Sequence, residues 1–153
     1  MPSTSKLNIL PMAFLDIKAV LTIEQQCHSH PWSETLFLSN FGTRYFNHIL
    51  QWEDEIIGYF VASHVAGEVT LMNIAIAPNF QKKGLGKQLL NVLIEKSKQQ
   101  DQVEIWLEVR ASNLSAITLY QNTGFVEVDT RKGYYPIANT NQREDAIIMC
   151  CYL

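Results

Sequence analysis

The sequence contains few cysteines and no long apolar run. Its three cysteines, Cys27, Cys150 and Cys151, are an odd number with two adjacent, which is a poor basis for a disulfide framework. No segment approaches the roughly 18 apolar residues of a membrane span, and the N-terminal MPSTSKLNIL lacks the apolar core and cleavage signal of a secretory leader. We therefore expect a cytoplasmic protein with reduced cysteines and no membrane segment.

An excess of positive charge is also missing. The chain has 12 Lys and Arg against 15 Asp and Glu, a formal net charge of −3. Domains that bind nucleic acid are usually basic, so we expect no direct contact with nucleic acid. A basic peptide remains a possible partner, because local charge can differ from the net balance.

Internal repeats, low-complexity tracts and dividing linkers are absent from the sequence. The 153 residues, of which 47% are hydrophobic, are enough for one core, and two domains would each have too small a core. We expect a single domain over 1–153, either a monomer or a weak oligomer.

Apolar patterning predicts the element order β α α β β β α β α β β. The helices are predicted over 13–27, over 31–42, over 84–100 and in the segment that ends at Gly124. The second and third strands are predicted to form a hairpin around the acidic turn at 53–55. This order predicts a mixed sheet with helices on its faces, of the α/β or α+β class.

Residues 73–90, NIAIAPNFQKKGLGKQLL, read as a strand, a glycine turn and a helix. The turn matches neither a Walker loop, which needs Ser or Thr after its lysine, nor a dinucleotide fingerprint, which needs a third Gly or Ala. Unpaired N–H groups and partial positive charge at a helix start favour an anion, whereas solvated lysines at an ordinary helix entrance are the alternative. The candidate anion-binding residues are Lys82, Lys83, Gly84, Leu85, Gly86 and Lys87.

Two motifs connect this turn to a family. The pattern Q-x-x-G-x-G and the later NLSAITLYQNTGF resemble the coenzyme-A pyrophosphate loop and the A-x-x-L-Y-x-x-x-G-F segment of the GNAT family of N-acetyltransferases. The stretches HPWSE, NIAI, WLEVRASN, YYP and REDAIIM resemble its bacterial ribosomal-protein-alanine N-acetyltransferases (RimI type), in the same order, from about residue 7 to 149.

The resemblance implies a GNAT fold, with a central mixed, mostly antiparallel sheet and about four helices. It also implies acetyl-CoA as the co-substrate and the N-terminal peptide of the eighteenth small-subunit ribosomal protein as the acceptor. Two other interpretations remain open. One is a GNAT enzyme that acetylates lysine side chains or a small amine, and the other is a coenzyme-A-binding regulator without catalysis.

Glu108 is the candidate general base. In VEIWLEVR, apolar residues alternate with polar or aromatic ones, and Glu108 lies near the carboxyl end of an inner strand, where α/β sheets place their ligands. A salt bridge with Arg110 or another neighbour is the alternative role. The resemblance aligns Glu108 with the general base of the family.

Tyr120 is the candidate general acid. A phenol, with a pKa near 10, can protonate a departing thiolate. Aromatic packing with Leu119 and Phe125 is the alternative, and the family's L-Y placement favours the acid role. Asn113 resembles a coenzyme-contacting asparagine and also suits a helix N-cap, and the two roles can coexist.

The remaining candidates concern the acetyl group and the acceptor. The resemblance implies that backbone N–H groups of Ile74, Ala75 and Ile76 polarise the thioester carbonyl. Three aromatic residues are candidates for a peptide groove, with packing in the core as the alternative: Trp32, Tyr45 and Tyr134. No metal is expected, because CHSH at 27–30 lacks a usual zinc spacing and the CC at 150–151 fits an apolar last strand.

Overall fold

A computed structural model describes residues 6–153, and residues 1–5 of the predicted domain lie outside that range. Within residues 6–153 the chain forms seven strands and four α-helices. The strands are β1 (Leu7–Pro11), β2 (His48–Trp52), β3 (Glu55–Val65), β4 (Glu68–Ile76), β5 (Glu104–Arg110), β6 (Val126–Pro136) and β7 (Arg143–Tyr152). The helices are α1 (Ile17–Cys27), α2 (Glu34–Ser39), α3 (Leu85–Gln99) and α4 (Leu114–Asn122).

The strands form one sheet in the order β1-β2-β3-β4-β5-β7-β6. Every neighbouring pair is antiparallel except β4 and β5. The predicted element order and the mixed, mostly antiparallel sheet are therefore confirmed. The placement of β7 between β5 and β6 is a long-range pairing that the local patterns did not indicate.

Helices cover both faces of the sheet. On one face, α3 buries an apolar stripe of Leu85, Leu89, Leu90 and Leu93 in the larger core cluster. On the other face, the side chains of α1 and α2 pack on β3 in a second cluster, which includes Ile17, Val20, Ile23, Phe37 and Tyr59. These stripes follow the 3.6-residue period of a helix with one buried face.

Helix boundaries differ from the predicted ones by a few residues. The predicted helix over 13–27 begins with a 3₁₀ turn at Phe14–Asp16, because Asp16 Oδ2 accepts a hydrogen bond of 2.7 Å from the Ala13 N–H and tightens the chain there. Phe14, in this turn, is 66% exposed. The longest helix, α3, follows the predicted 84–100 to within one residue at each end. Within residues 6–153, no helix combines the length and apolar character that crossing a membrane requires.

Candidate active site

The sheet opens between β4 and β5. These strands pair only where residues 68–70 lie beside residues 104–106, although both continue beyond that point. A cavity of about 450 Å³ lies between their unpaired ends. The lining also includes residues of α1 and the loop after it, of α4 and its N-cap, and of the end of β6. Open α/β sheets bind ligands in such crevices at the carboxyl ends of strands, so this cavity is the candidate site.

Glu108 lines the cavity from β5. The alternation predicted for this strand is confirmed, because the odd-numbered side chains of residues 105–109 are buried and that of Glu108 is 32% exposed. Its Oε1 lies 3.4 Å from Nη2 of Arg131 on β6, so the partner of the carboxylate is Arg131 and not Arg110. This pair is exposed enough to water to be weak, and the carboxylate remains accessible to a solvent molecule.

Arg110, two residues further along β5, joins opposite sides of the cavity. Its Nη1 donates to the Pro136 carbonyl at 3.0 Å and lies 3.2 Å from Glu144 Oε2, while its Nη2 lies 3.3 Å from Nδ1 of His30. The hydroxyl and the backbone N–H of Ser112 both donate to Glu144. These hydrogen bonds, and then Arg110, hold the pKa of Glu144 below its ordinary value.

Tyr120 is buried near the end of α4 and also lines the cavity. Its ring packs on Phe125 with centroids 5.8 Å apart, so the aromatic-packing role is present. Burial, and then the neighbouring Tyr135, raises the pKa of Tyr120 to about 12. The hydroxyl consequently stays protonated at neutral pH, which is the state that a general acid requires.

Asn113 caps α4 and lines the cavity at the same time. Its Oδ1 accepts the Ala116 N–H at 3.3 Å, which confirms the N-cap role. Because that contact uses the side-chain oxygen, the amide nitrogen of Asn113 remains free to donate. Its contact with a coenzyme stays a prediction.

The backbone of β4 presents an unpaired edge to the crevice. The Ala77 N–H donates to a carbonyl of β3 at 2.7 Å. The Ile76 carbonyl points the other way, toward α1, where the Cys27 thiol donates to it with Sγ 3.2 Å away. Backbone groups alternate in direction along a strand, so Ile74 shares the outward orientation of Ile76 and Ala75 faces β3. Of the three predicted contacts, only Ile74 lines the cavity, and its N–H lies on the unpaired edge of β4. The contact of all three with an acetyl group stays a prediction.

The two glycines of the turn have different structural roles. Gly84 has φ +77° and open space around its α-carbon, and this left-handed conformation at the start of α3 favours glycine. A Cβ at Gly86 would lie only 3.0 Å from Leu119 Cδ2, so Gly86 allows α3 and α4 to pack closely. Both glycines belong to one anion-binding candidate by sequence, but only Gly84 shapes the turn itself.

The start of α3 retains the donors expected of an anion site. The first N–H groups of a helix have no intrahelical acceptor, and here they belong to Leu85, Gly86 and Lys87. Leu85 is buried, so its backbone alone is available. Within residues 6–153 the side chains of Lys82, Lys83 and Lys87 form no ion pair, which leaves their charge for a ligand.

Trp32 is the candidate acceptor-binding residue that the fold brings to the cavity. Its ring packs against Phe37 with centroids 5.1 Å apart, and its backbone N–H donates to Glu24 Oε2 at 2.8 Å. The indole therefore has a fixed position at the junction of the loop after α1 with α2.

Tyr45 and Tyr134 are placed outside the cavity lining. Tyr45 donates its hydroxyl to Asn40 Oδ1 at 2.9 Å and packs on the second core cluster. Tyr134 faces away because side chains alternate along β6, and its neighbour Tyr135 lines the cavity instead. Because side chains alternate along a strand, the sequence indicated that the two tyrosines face opposite ways. It did not indicate which of them faces the cavity, since the register of β6 was not determined by the sequence.

Glu24 is a lining residue that the sequence patterns did not indicate. It is 1% exposed and lies on the face of α1 that buries Ile17 and Val20. Its position, at helical spacing within the apolar stripe of α1, is a pattern that indicates a buried acidic residue. Its partners come from β3, β4 and the loop after α1, and no local pattern predicts that combination.

The cysteines and histidines near the cavity do not form a metal centre. Among residues 6–153 no group of three or more His, Cys, Asp or Glu side chains is arranged to hold a metal ion. Cys27, Cys150 and Cys151 are free thiols, and burial, and then Glu104, raises the pKa of Cys150 to about 11. Cys27 lines the cavity, and burial, and then Glu24, also raises the pKa of its thiol. Protonated thiols are weak nucleophiles, so we assign no nucleophilic role to the cysteines.

Comparisons with known proteins place this geometry in a family. The model of the acetyltransferase (GNAT) family matches residues 17–125. The chain is 46% identical over 134 residues to the [ribosomal protein bS18]-alanine N-acetyltransferase of Salmonella typhimurium, covering 88% of this chain and 89% of the relative.

Two solved structures share the fold. The crystal structure of the ribosomal-protein-S18-alanine N-acetyltransferase from Escherichia coli has a TM-score of 0.90 and 42% identity, covering 95% of this chain and 93% of that one. Arabidopsis thaliana NAA60, crystallised in complex with acetyl-CoA, has a TM-score of 0.86 and 18% identity, covering 96% and 99%. The match with the family model and the identity with the Salmonella enzyme together show that the chain belongs to the acetyltransferase (GNAT) family.

Proposed function

We propose that the protein transfers the acetyl group of acetyl-CoA to the N-terminal alanine of the eighteenth small-subunit ribosomal protein. The observation that carries this proposal is that Glu108 and Tyr120 line one cavity beside the unpaired edge of β4. A carboxylate, a protonated phenol and free backbone donors are the groups that acyl transfer to an amine requires. The acceptor is inferred from the relatives in Salmonella and Escherichia, which are named for that alanine.

Acetyl-CoA fits the residues on the β4–α3 side. The N–H groups at the start of α3 and the charges of Lys82, Lys83 and Lys87 suit a pyrophosphate. We assign the Asn113 amide to the coenzyme as well, and the Ile74 and Ile76 N–H groups to the thioester carbonyl. Bound NAA60 shows that a protein of this fold accommodates acetyl-CoA. No metal has a role in the proposed reaction.

The acceptor must be a neutral amine when it attacks. An α-amino group has a pKa near 8 and is about one-tenth neutral at pH 7, whereas a lysine, at about 10.4, is neutral in well under a thousandth of molecules. Deprotonating an N-terminus is therefore easier by roughly 3 kcal/mol. A partly exposed carboxylate acting through water suffices for this task, and Glu108 has that exposure.

The reaction proceeds by direct attack in this proposal. The α-amine nitrogen forms a bond to the thioester carbonyl carbon, and the proton it loses passes to Glu108 through a water molecule. The carbon–sulfur bond then breaks, and the departing thiolate takes the hydroxyl proton of Tyr120. Because the three cysteines are protonated or turned into the core, no acetyl-enzyme intermediate is invoked.

The acceptor peptide is assigned to the opening beside the loop after α1. Trp32 contacts the peptide in this proposal, and Tyr135 replaces Tyr134 as the inward tyrosine. Tyr45 and Tyr134 are left as contacts for residues further along the peptide. We also propose that residues 1–153 act as one domain, as a monomer or weak oligomer, in the cytoplasm where the acceptor is made.

The test is intact-mass measurement of an alanine-initiated ribosomal peptide after incubation with the protein and acetyl-CoA. The expected result is one added acetyl group, located at the N-terminus by fragmentation. The matched control is the same peptide with its N-terminus formylated and its internal lysines intact. Acetylation of lysine in both peptides would replace the proposed acceptor with a lysine side chain, and the absence of any transfer despite coenzyme binding would favour a non-catalytic regulator.

A further inference from the structure

Glu24 is a buried carboxylate in the cavity lining that the proposed reaction does not use. Only 1% of the residue is exposed, although it carries a charged group in the apolar stripe of α1. Burying a carboxylate is costly unless hydrogen bonds compensate it, so each partner of Glu24 is of interest.

Three donors from three segments converge on this carboxylate. Tyr59 of β3 donates its hydroxyl to Oε1, and Asn73 of β4 donates its amide to the same oxygen at 2.8 Å. The Trp32 backbone N–H donates to Oε2 at 2.8 Å. Burial, and then the hydrogen bond to Glu24, raises the pKa of Tyr59, so the phenol remains a neutral donor. His28 Nε2 lies 3.4 Å from Oε1.

Two of these segments face the reactants. Asn73 immediately precedes Ile74, whose N–H group points into the crevice. Trp32 carries the indole that we assign to the acceptor peptide. The third segment, at Tyr59, lies in the middle of the sheet and does not line the cavity. One carboxylate therefore connects the strand that faces the acetyl group with the loop that faces the amine.

We propose that Glu24 is a positioning residue that holds the β4 edge and the Trp32 loop in register, so that amine and thioester meet at reacting distance. This inference rests on the proposed function, since the two substrates are those assigned above. Displacements of about 1 Å at sites remote from the chemistry can lower rates by about 100-fold, which sets the scale of the effect.

Glu24→Gln is the informative substitution because it keeps the shape of the side chain and replaces one acceptor oxygen with an NH₂ donor. An amide has a single oxygen, so its NH₂ group must oppose either Trp32 or the pair formed by Tyr59 and Asn73. We expect kcat to fall and KM for the peptide to rise, with kcat/KM lowered about 10- to 100-fold. The dissociation constant for acetyl-CoA should stay within about threefold, since the α3 donors do not contact Glu24.

Two further variants separate positioning from general stabilisation. Asn73→Ala removes the donor on the β4 side, and it should lower kcat with a smaller change in KM for the peptide. Tyr59→Phe removes the donor from the middle of the sheet, so Tm should fall while kcat and KM change less than about threefold. Glu95→Gln, on the exposed side of α3, is the matched control, and it should change neither Tm nor the kinetic constants.

A readout without turnover is the hydrogen exchange of the Trp32 amide, measured by NMR. In Glu24→Gln this amide should exchange about tenfold faster or more, because its charged acceptor is gone. Should Glu24→Gln fail to fold, the contrast between Asn73→Ala and Tyr59→Phe decides the question.

Three results would overturn the proposal while the proposed function stands: unaltered kinetics in Glu24→Gln, unaltered Trp32 exchange, or losses in Asn73→Ala and Tyr59→Phe that simply follow Tm. A wild-type protein that binds acetyl-CoA but acetylates no alanine peptide would overturn the proposed function instead, and with it the assignment of Glu24.

Discussion

The two sides of the proposed site are built in different ways. The donor side is one continuous stretch, residues 74–87, of which Ile74 lines the cavity, and it offers mainly backbone N–H groups and a glycine turn. The acceptor side combines side chains from α1, the loop after α1, β5 and β6, namely Glu24, Trp32, Glu108 and Tyr135. The first is local in sequence, whereas the second exists only after the sheet has formed.

This difference affects what a substitution can do. Backbone donors cannot be removed by changing a side chain, so the donor side is sensitive to changes in backbone conformation and in helix packing. On the acceptor side each proposed role belongs to one side-chain group, so a single isosteric substitution can abolish that role. Four experiments, from the largest expected effect to the smallest, measure this contrast.

Glu108→Gln should have the largest effect. Removing a general base typically costs about 10²–10⁴-fold in turnover, and the amide retains the shape of the side chain. Steady-state kinetics should show the loss in kcat, while the dissociation constant for acetyl-CoA stays unchanged because the donor side is intact. Glu127→Gln, which changes an exposed carboxylate on β6 in the same way, is the control. Equal activity of the two variants would contradict the assignment of the base.

Tyr120→Phe should lower kcat by about 10²-fold or more. No hydrogen bond from its hydroxyl to a described residue is found, so Tm should hardly change and the loss should be chemical. Because the pKa of Tyr120 is raised to about 12, the phenol stays protonated and the wild-type rate should show no alkaline decline from this group below about pH 11. A wild-type decline centred near pH 10, absent from the variant, would indicate an unperturbed phenol.

A third comparison, Gly86→Val against Gly84→Ala, examines the donor side. Valine at 86 would press on Leu119, and overpacking of this kind costs about 1–3 kcal/mol. Alanine at 84 would adopt φ +77° in open space, at about 1–2 kcal/mol. Both should lower the free energy of unfolding in urea, and Gly86→Val should also weaken acetyl-CoA binding by displacing α3. Wild-type affinity in Gly86→Val would separate helix packing from coenzyme binding.

Arg131→Gln should have the smallest effect. The Arg131 side chain is 52% exposed and its pair with Glu108 is 3.4 Å long, so solvent screens the interaction. We expect less than about threefold change in kcat and no measurable change in Tm. A loss comparable to that of Glu108→Gln would show that Arg131 orients the base, which would add a second residue of β6 to the acceptor side.

Much of the fold was predictable because most helices and strands have a periodic pattern of apolar residues within their own segment. The stripe of α3 and the alternation of β5 each follow from a period within one segment, and both are confirmed. The predicted start of α1 was less accurate, because Asp16 accepts a hydrogen bond from the Ala13 N–H and apolar periodicity does not indicate this contact. The insertion of β7 between β5 and β6 depends on pairing between distant segments.

The candidate site was predictable in part for the same reason. Glu108, Tyr120, Asn113 and Ile74 lie in recognisable motifs, and all four line the cavity. The tyrosine pair at 134–135 shows the limit, because a strand register one residue different exchanges the inward and outward rings. The buried role of Glu24 was also hidden, since the groups that donate hydrogen bonds to it lie 8 to 49 residues away in the chain.

The sequence by itself determined the order of elements, the glycine turn before α3 and the alternation that turns Glu108 away from the core. These features depend on neighbouring residues, whose backbone geometry and periodicity are fixed over one or two turns of chain. Only the tertiary structure decided that β4 and β5 separate after three paired residues, and that Glu24, Trp32 and Tyr135 gather at the opening. The physical reason is that a crevice between strands and a shared buried carboxylate require contacts between distant segments, which no local pattern encodes.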